Sequence, residues 1–132
     1  MRYFLDTNIC IYIMRSASQK VMMRLSQYAP ADLGISTIVL SELEYGVAKS
    51  THVDRNRRKL DVFLSAFTIV PYDSAAAQAY GRIRADLQKS GNLIGREDMM
   101  IAAHAVAANV TLITNNEREF GRIPALTVEN WA

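Results

Sequence analysis

Short apolar runs and longer amphipathic segments alternate along this chain, and that alternation restricts the fold more than any other feature. Residues 2 to 6 read as a buried strand, with Thr7 or Asn8 placed to cap a helix reaching Arg15. Ser18 to Tyr28 carries Val21, Met22, Leu25 and Tyr28 at helical spacing, and Pro30 breaks it. Leu33 to Ser36 is a second strand, and Ser36 or Thr37 opens a helix with Val39, Leu43 and Val47 on one stripe. Residues 53 to 66 form a helix turning Leu60, Phe63 and Leu64 inward; Thr68 to Val70 is a strand closed by Pro71. Asp73 to Ser90 is a long helix with Ala76, Tyr80, Ile83 and Leu87 along one face, ended by Gly91. A loop from Gly91 to Gly95 leads to a helix over Arg96 to Ala108. Val110 to Thr114 is a strand, Asn115 to Phe120 a turn or short helix, and Leu126 to Val128 a last strand. Strands alternating with helices predict an α/β fold: a mainly parallel sheet with helices on both faces, an α/β/α sandwich.

The chain has 132 residues, enough for one domain with a real core, and half of them are apolar. No apolar run approaches the roughly 18 residues of a membrane span, and the apolar stretch after Met1 is too short for a signal peptide. Cys10, the single cysteine, lies among Ile9, Ile11 and Ile13 and reads as a small buried thiol. These features fit a cytoplasmic protein. The net charge of +2 says little, but its placement says more. Lys49, Arg55, Arg57, Arg58 and Lys59 form one basic cluster, and Arg82, Arg84, Lys89 and Arg96 another. Each is either a solvated helix face or part of a phosphate-binding rim.

In parallel sheets, sites form in the crevice beyond the carboxyl ends of the strands. Asp6 ends the first strand, and Thr114 to Asn116 end a later one. Glu42 lies in the second turn of a helix that follows a strand, so it belongs at the same edge. Asp98, in the first turn of its helix, is placed less firmly, because that helix follows a loop and another helix. Each acid also has a structural explanation: Asp6 as a helix cap, Asp98 and Glu97 as charges favoured by a helix dipole. Glu42 and Glu44 lie two apart, about 200° around a helix, so only one can face a site. Glu42 flanks the buried stripe, which leaves Glu44 as a surface charge. His104 is turned about 240° from Asp98 and reads as structural or rim; His52 has no partner in view. The paired methionines Met22-Met23 and Met99-Met100 read as core filler, with an adaptable partner surface as the other reading. There is no zinc-type His/Cys spacing, no glycine-rich phosphate loop and no Ser-His-Asp pattern. Clustered carboxylates need a counter-charge, and oxygen-only donors point to Mg²⁺ or Mn²⁺.

Four segments resemble the motifs of PIN-domain ribonucleases, in order and over nearly the whole chain: Leu5-Asp6-Thr7-Asn8, Ser41 to Gly46 with an acid four before the glycine, Gly95 to Ala105, and Leu112 to Phe120. In length and wording they are most similar to the VapC toxins of bacterial toxin–antitoxin pairs. The resemblance implies a single PIN domain over residues 1 to 132, and an Mg²⁺- or Mn²⁺-dependent RNA endonuclease silenced by a cognate VapB-type antitoxin. It implies a homodimer, and structured RNA such as tRNA as substrate. It carries over Asp6, Glu42 and Asp98 as metal-binding catalytic acids, with Thr7, Asn8 and Thr114 in support. The fourth position falls to Asn116, where many relatives have Asp, or to Glu119. Arg82, Lys89 and Arg96 are candidates to steer the RNA backbone. Asp6→Ala or Asp98→Ala is then expected to abolish cleavage and leave the fold intact.

Three rival readings follow from the same residues. A haloacid-dehalogenase-type enzyme needs a second Asp where this chain has Asn8, and a receiver domain needs a late Lys, whereas none follows Lys89. A PIN fold that binds RNA or a partner without cutting rests on the amide at Asn116.

Overall fold

The computed structural model describes residues 1–15 and 18–132. Its elements run β1 (Tyr3–Leu5), α1 (Thr7–Met14), α2 (Gln19–Leu25), a 3₁₀ turn (Pro30–Asp32), β2 (Leu33–Ser36), α3 (Thr37–Ala48) and α4 (Val53–Leu64). They continue with β3 (Thr68–Val70), α5 (Ser74–Lys89), α6 (Arg96–Ala108), β4 (Thr111–Ile113), α7 (Glu117–Phe120) and β5 (Val128–Glu129). The strands form one sheet in the order β3-β2-β1-β4-β5, and every ladder in it is parallel. Both faces are covered. Tyr3, Phe4 and Leu5 point alternately to opposite sides of the central strand, and all three are buried. No helix among the described residues is long and apolar enough to cross a membrane.

The order of strands fixes where a site can form. The chain steps outward from β1 through β2 to β3, then returns to the other side of β1 for β4 and β5. The carboxyl ends of β1 and β4 therefore flank the point where the winding reverses, and a crevice opens there. The register pairs Leu5 with Ile113, so the next residues, Asp6 and Thr114, lie side by side at its mouth.

Several boundaries differ from those expected from sequence. Of the caps the residues offered for α1, the structure takes Asp6 and not Thr7 or Asn8: its backbone is extended, and its side chain accepts the Ile9 amide at 2.8 Å. Helix α2 stops at Leu25, because the chain tightens into turns closed by Gln27 N–H to Arg24 O and Tyr28 N–H to Leu25 O. In this seven-residue surface helix only Val21 is buried. Met22 and Met23 are 43% and 69% exposed, so that pair is surface and not core filler; Met99 is buried. Phe63 and Leu64 are only half-buried beside the fully packed Leu60. The last strand starts at Val128, since Leu126 is still held in a turn by Ile123 O. The end of α5 is as expected: Gly91 takes φ +71°, and the Asn92 amide closes back onto Leu87 O at 2.8 Å.

Gly34 in β2 is required by close approach. A Cβ there would stand 2.9 Å from the ring of Phe4, which has no exposed surface and no room to retreat, and 2.7 Å from Met1 Sδ. Gly34→Ala should therefore destabilise the protein by about 1–3 kcal/mol, the usual range for overpacking. Chemical denaturation would read this as a lower midpoint at unchanged slope.

Candidate active site

The crevice between β1 and β4 is built by a chain of hydrogen bonds. Asp6 is 3% exposed and uses both carboxylate oxygens. Oδ1 accepts the Ile9 amide, and Oδ2 accepts the hydroxyl of Thr114. The Thr114 oxygen in turn accepts the Asn116 backbone amide at 2.9 Å, and Asn116 Nδ2 donates to Glu119 Oε2 at 3.1 Å. From the other side, Thr7 donates its hydroxyl to Glu42 Oε1 at 2.6 Å. Thus Asp6, Thr114, Asn116 and Glu119 form one connected wall, and Thr7 and Glu42 a second wall starting one residue after Asp6.

Asp98 joins them through the field rather than through a bond. Burial first, and then the charges of Glu42, Glu119, Asp6 and Glu97, raise its pKa to about 6. Burial also raises Asp6, and Glu42 adds to this, while the bonds from Thr114 and Ile9 oppose it. Among the described residues, the ion pairs are Arg24–Glu129, Arg57–Glu44 and Arg57–Asp61, so none of the crevice acids has a cationic partner. The donors are carboxylates, an amide and hydroxyls, with no imidazole or thiolate, which suits a hard divalent cation. As they are placed, no three acidic, His or Cys side chains among the described residues stand close enough to hold an ion between them. To hold an ion there, Glu42, Asp98 or Glu119 would have to turn toward Asp6.

The neighbouring alternatives lie elsewhere. Glu44 is taken up by the Arg57 guanidinium, and Glu97 is exposed. His104 is 2% exposed; its Nδ1 pairs with Ser36 Oγ at 2.8 Å, and its ring packs edge-on against Phe4 and Tyr72. Burial lowers its pKa, and it serves the core, since Ser36 also caps α3. Cys10 is buried, and desolvation holds its thiol well above the ordinary value. Arg82 and Lys89 stand exposed on α5, and Arg96 opens α6. None of the three borders the cavity of about 640 Å³ that opens beside Thr7 and Glu42. That cavity is bordered instead by Asn8, Arg15, Lys49 and Lys59. Of these, Lys49 and Lys59 belong to the first basic cluster, whose spacing alone left it undecided between solvated face and rim.

A parallel sheet with acids gathered at its winding reversal is the PIN architecture, and the PIN domain model matches residues 3–126; the chain belongs to the PIN-domain family. Within that family it is similar to VapC proteins. It is 45% identical to Ribonuclease VapC2 of Rickettsia felis over 132 residues, covering 99% of this chain and 98% of the relative. It is 39% identical to the tRNA(fMet)-specific endonuclease VapC of Shigella flexneri, covering 100% and 99%. The solved structure of DNA-bound VapBC from Salmonella typhimurium superposes with a TM-score of 0.95 at 37% identity, covering 100% of this chain and 99% of the other.

The raised pKa of Asp98 has a consequence for stability. A carboxyl whose folded pKa lies above its unfolded value binds its proton more tightly in the folded state, so its ionisation costs stability as pH rises through the interval between them. In EDTA, Asp98→Asn should melt higher than the parent at about pH 7.5, and the gap should narrow as pH falls from about 6 and close only below about 4, where Asp98 is protonated in the unfolded chain as well as the folded one. Scanning calorimetry of the pair across this range checks it; a gap independent of pH would refute the raised pKa of Asp98.

Proposed function

We propose that this chain is a metal-dependent RNA endonuclease, the toxin of a toxin–antitoxin pair. The observation that carries this reading is the crevice itself: Asp6 locked by Thr114, Asn116 tied to Glu119, and Asp98 within the field of Glu42, Glu119 and Asp6. Asp6, Asp98 and Glu42 would hold Mg²⁺ or Mn²⁺, with Asn116 or Glu119 completing the set. When bound, the ion supplies an activated water and stabilises charge on the phosphate and leaving oxygen. Asp6 contributes position, since its two hydrogen bonds fix the carboxylate before any ligand arrives. Glu42, oriented by Thr7, accepts the proton from the attacking water. Thr114 passes the position of β4 to Asp6, and Asn116 aims Glu119.

Structured RNA is the substrate proposed, with tRNA first. The support is similarity to relatives named as tRNA(fMet)-specific endonucleases. Purified, partner-free protein should cut total tRNA at discrete positions with Mg²⁺ or Mn²⁺ and not with EDTA. The structure alters the choice of variant: because Asp6 caps α1, Asp6→Ala also removes a cap worth about 0.5–2 kcal/mol. Asp6→Asn and Asp98→Asn keep hydrogen-bonding side chains, and each should lower the cleavage rate by at least roughly a hundredfold while the protein melts cooperatively. Full activity in either would overturn the assignment. RNA binding without cutting, in protein shown to be free of inhibitor, would favour a binding module with Asn116 at the defective position.

The partner proposed is a VapB-type antitoxin, as in the solved VapBC complexes. An apolar groove of about 740 Å³ lies between α1, α2 and α4, with Ile13, Met22, Val62, Phe63 and Phe67 along it. Val62 is 74% exposed and Met22 43%, which a single chain gains nothing by leaving bare. Met14 and Lys59 border both this groove and the cavity beside Glu42, so a peptide laid in the groove reaches the edge of the acids. Val62→Lys should weaken antitoxin binding at least roughly tenfold, as truncating an interface anchor does, and leave RNA cleavage by the free protein intact. Calorimetric titration gives the affinity, and sedimentation of the complex tests the expected pairing of two copies.

A further inference from the structure

We infer that the cavity between α1, α3 and α4 is a nucleotide subsite, taking one unstacked RNA nucleotide beside the phosphate presented to the acids; this rests on the ribonuclease reading above. Three observations lead there. First, the cavity shares Thr7 and Glu42 with the crevice, so its occupant is continuous with whatever reacts there. Second, its lining has the chemistry of a nucleotide clamp: an apolar floor with Leu43 and Leu60, and a rim that includes Arg15, Lys49 and Lys59. None of these cations is in an ion pair among the described residues, whereas their neighbour Arg57 is held by Glu44 and Asp61. Tyr45 stands at the edge, 66% exposed, with the Lys49 ammonium 5.0 Å from its ring centre. A base stacks on such a ring, and the ammonium beside it meets the phosphate.

The third observation is Gly46. It lies inside α3, one turn after Glu42 and on the same face, and borders the cavity. Glycine weakens a helix interior by about 1 kcal/mol relative to alanine. Nothing in the fold asks for it: a Cβ built there would meet no atom outside its own helix within 4 Å, and no positive φ is involved. A bare stretch of backbone at the wall of a cavity is what close approach by a ligand requires. In the subsite, the ribose passes over Gly46, the base lies against Tyr45, and Lys49 and Lys59 take the flanking phosphate. Asn8 and Asn56 reach the base edge.

The test uses the partner-free protein in an Asp98→Asn background, so that RNA is bound and not consumed, with a fluorescein-labelled RNA hairpin carrying an unpaired loop. Anisotropy gives the Kd. Tyr45→Ala should raise it roughly five- to hundredfold, the span of one lost base stack, and Tyr45→Phe should restore it to within about twofold. Gly46→Ala should raise it at least roughly fivefold while the melting temperature holds or rises, because alanine favours the helix. That opposition of signs is one a merely structural glycine would not give. If Tyr45→Ala and Gly46→Ala both bind within about twofold of the background, the subsite is wrong, and so it is if they weaken only the antitoxin. Cleavage by the Asp98-containing parent separates the two readings. No cutting with the binding pattern intact removes the nuclease and keeps the subsite; cutting without the pattern does the reverse.

Discussion

The hydrogen bond from Thr114 to Asp6 joins the two halves of the sheet where its winding reverses. It depends on the parallel register that puts Leu5 opposite Ile113, so the carboxylate of one strand end and the hydroxyl of the next arrive together. Everything else at the crevice is referred to that pair. Asp6 starts α1 and so sets Thr7, which orients Glu42. Thr114 receives the Asn116 amide and so starts the turn that presents Glu119. A buried carboxylate is tolerated here because each of its oxygens has a donor. The fold thus fixes Asp6 and Thr114 at β-strand ends and places Glu42 and Asp98 on helices.

That division lets Asp6 combine its structural role with the chemical role proposed for it. A short acid at the end of a strand can cap the following helix and still face the crevice, because the cap uses one oxygen and the crevice the other. Asp98 has no such anchor. Its charge is opposed from several sides, so its position is set by the packing of α6 against α5 and by the residues that follow it into the core. Met99 and Ile101 are buried there, and the small side chains of Ala102, Ala103 and Ala105 let the helix lie close to its neighbours.

Much of this was legible in the residues. Strands at Leu33–Ser36 and Thr68–Val70 and the helix at Arg96–Ala108 fall where apolar period and breakers put them. The alternation of elements led to a parallel sheet, and the rule of carboxyl edges brought Asp6 and Thr114 to one place from the sequence alone. What stayed hidden depended on distance in sequence. The residues offered both Asp6 and Thr7 as the cap, and the choice of Asp6 follows from an extended backbone at one residue, which propensity does not resolve. Met22 and Met23 have a helical pattern, but a seven-residue helix at the surface buries only one residue of it. The two basic clusters look alike as strings. Only the packing of α4 beside α1 and α3 brings Lys59 to the Glu42 side, and only the pairing with Glu44 removes Arg57 from it. His104 was legible as turned from Asp98, though its bond to Ser36 spans 68 positions and has no local sign.

The sheet ends on two very short strands. β3 has three residues and is followed at once by Pro71, and β5 has two. Long unpaired edges are templates on which another chain can add a strand, and a parallel core this apolar would be a strong one. Here the open edges offer too few free amides and carbonyls to hold a second sheet. A molecule with a bare apolar groove is therefore guarded against the most damaging form of self-association, the joining of backbones, whatever its side-chain surfaces do.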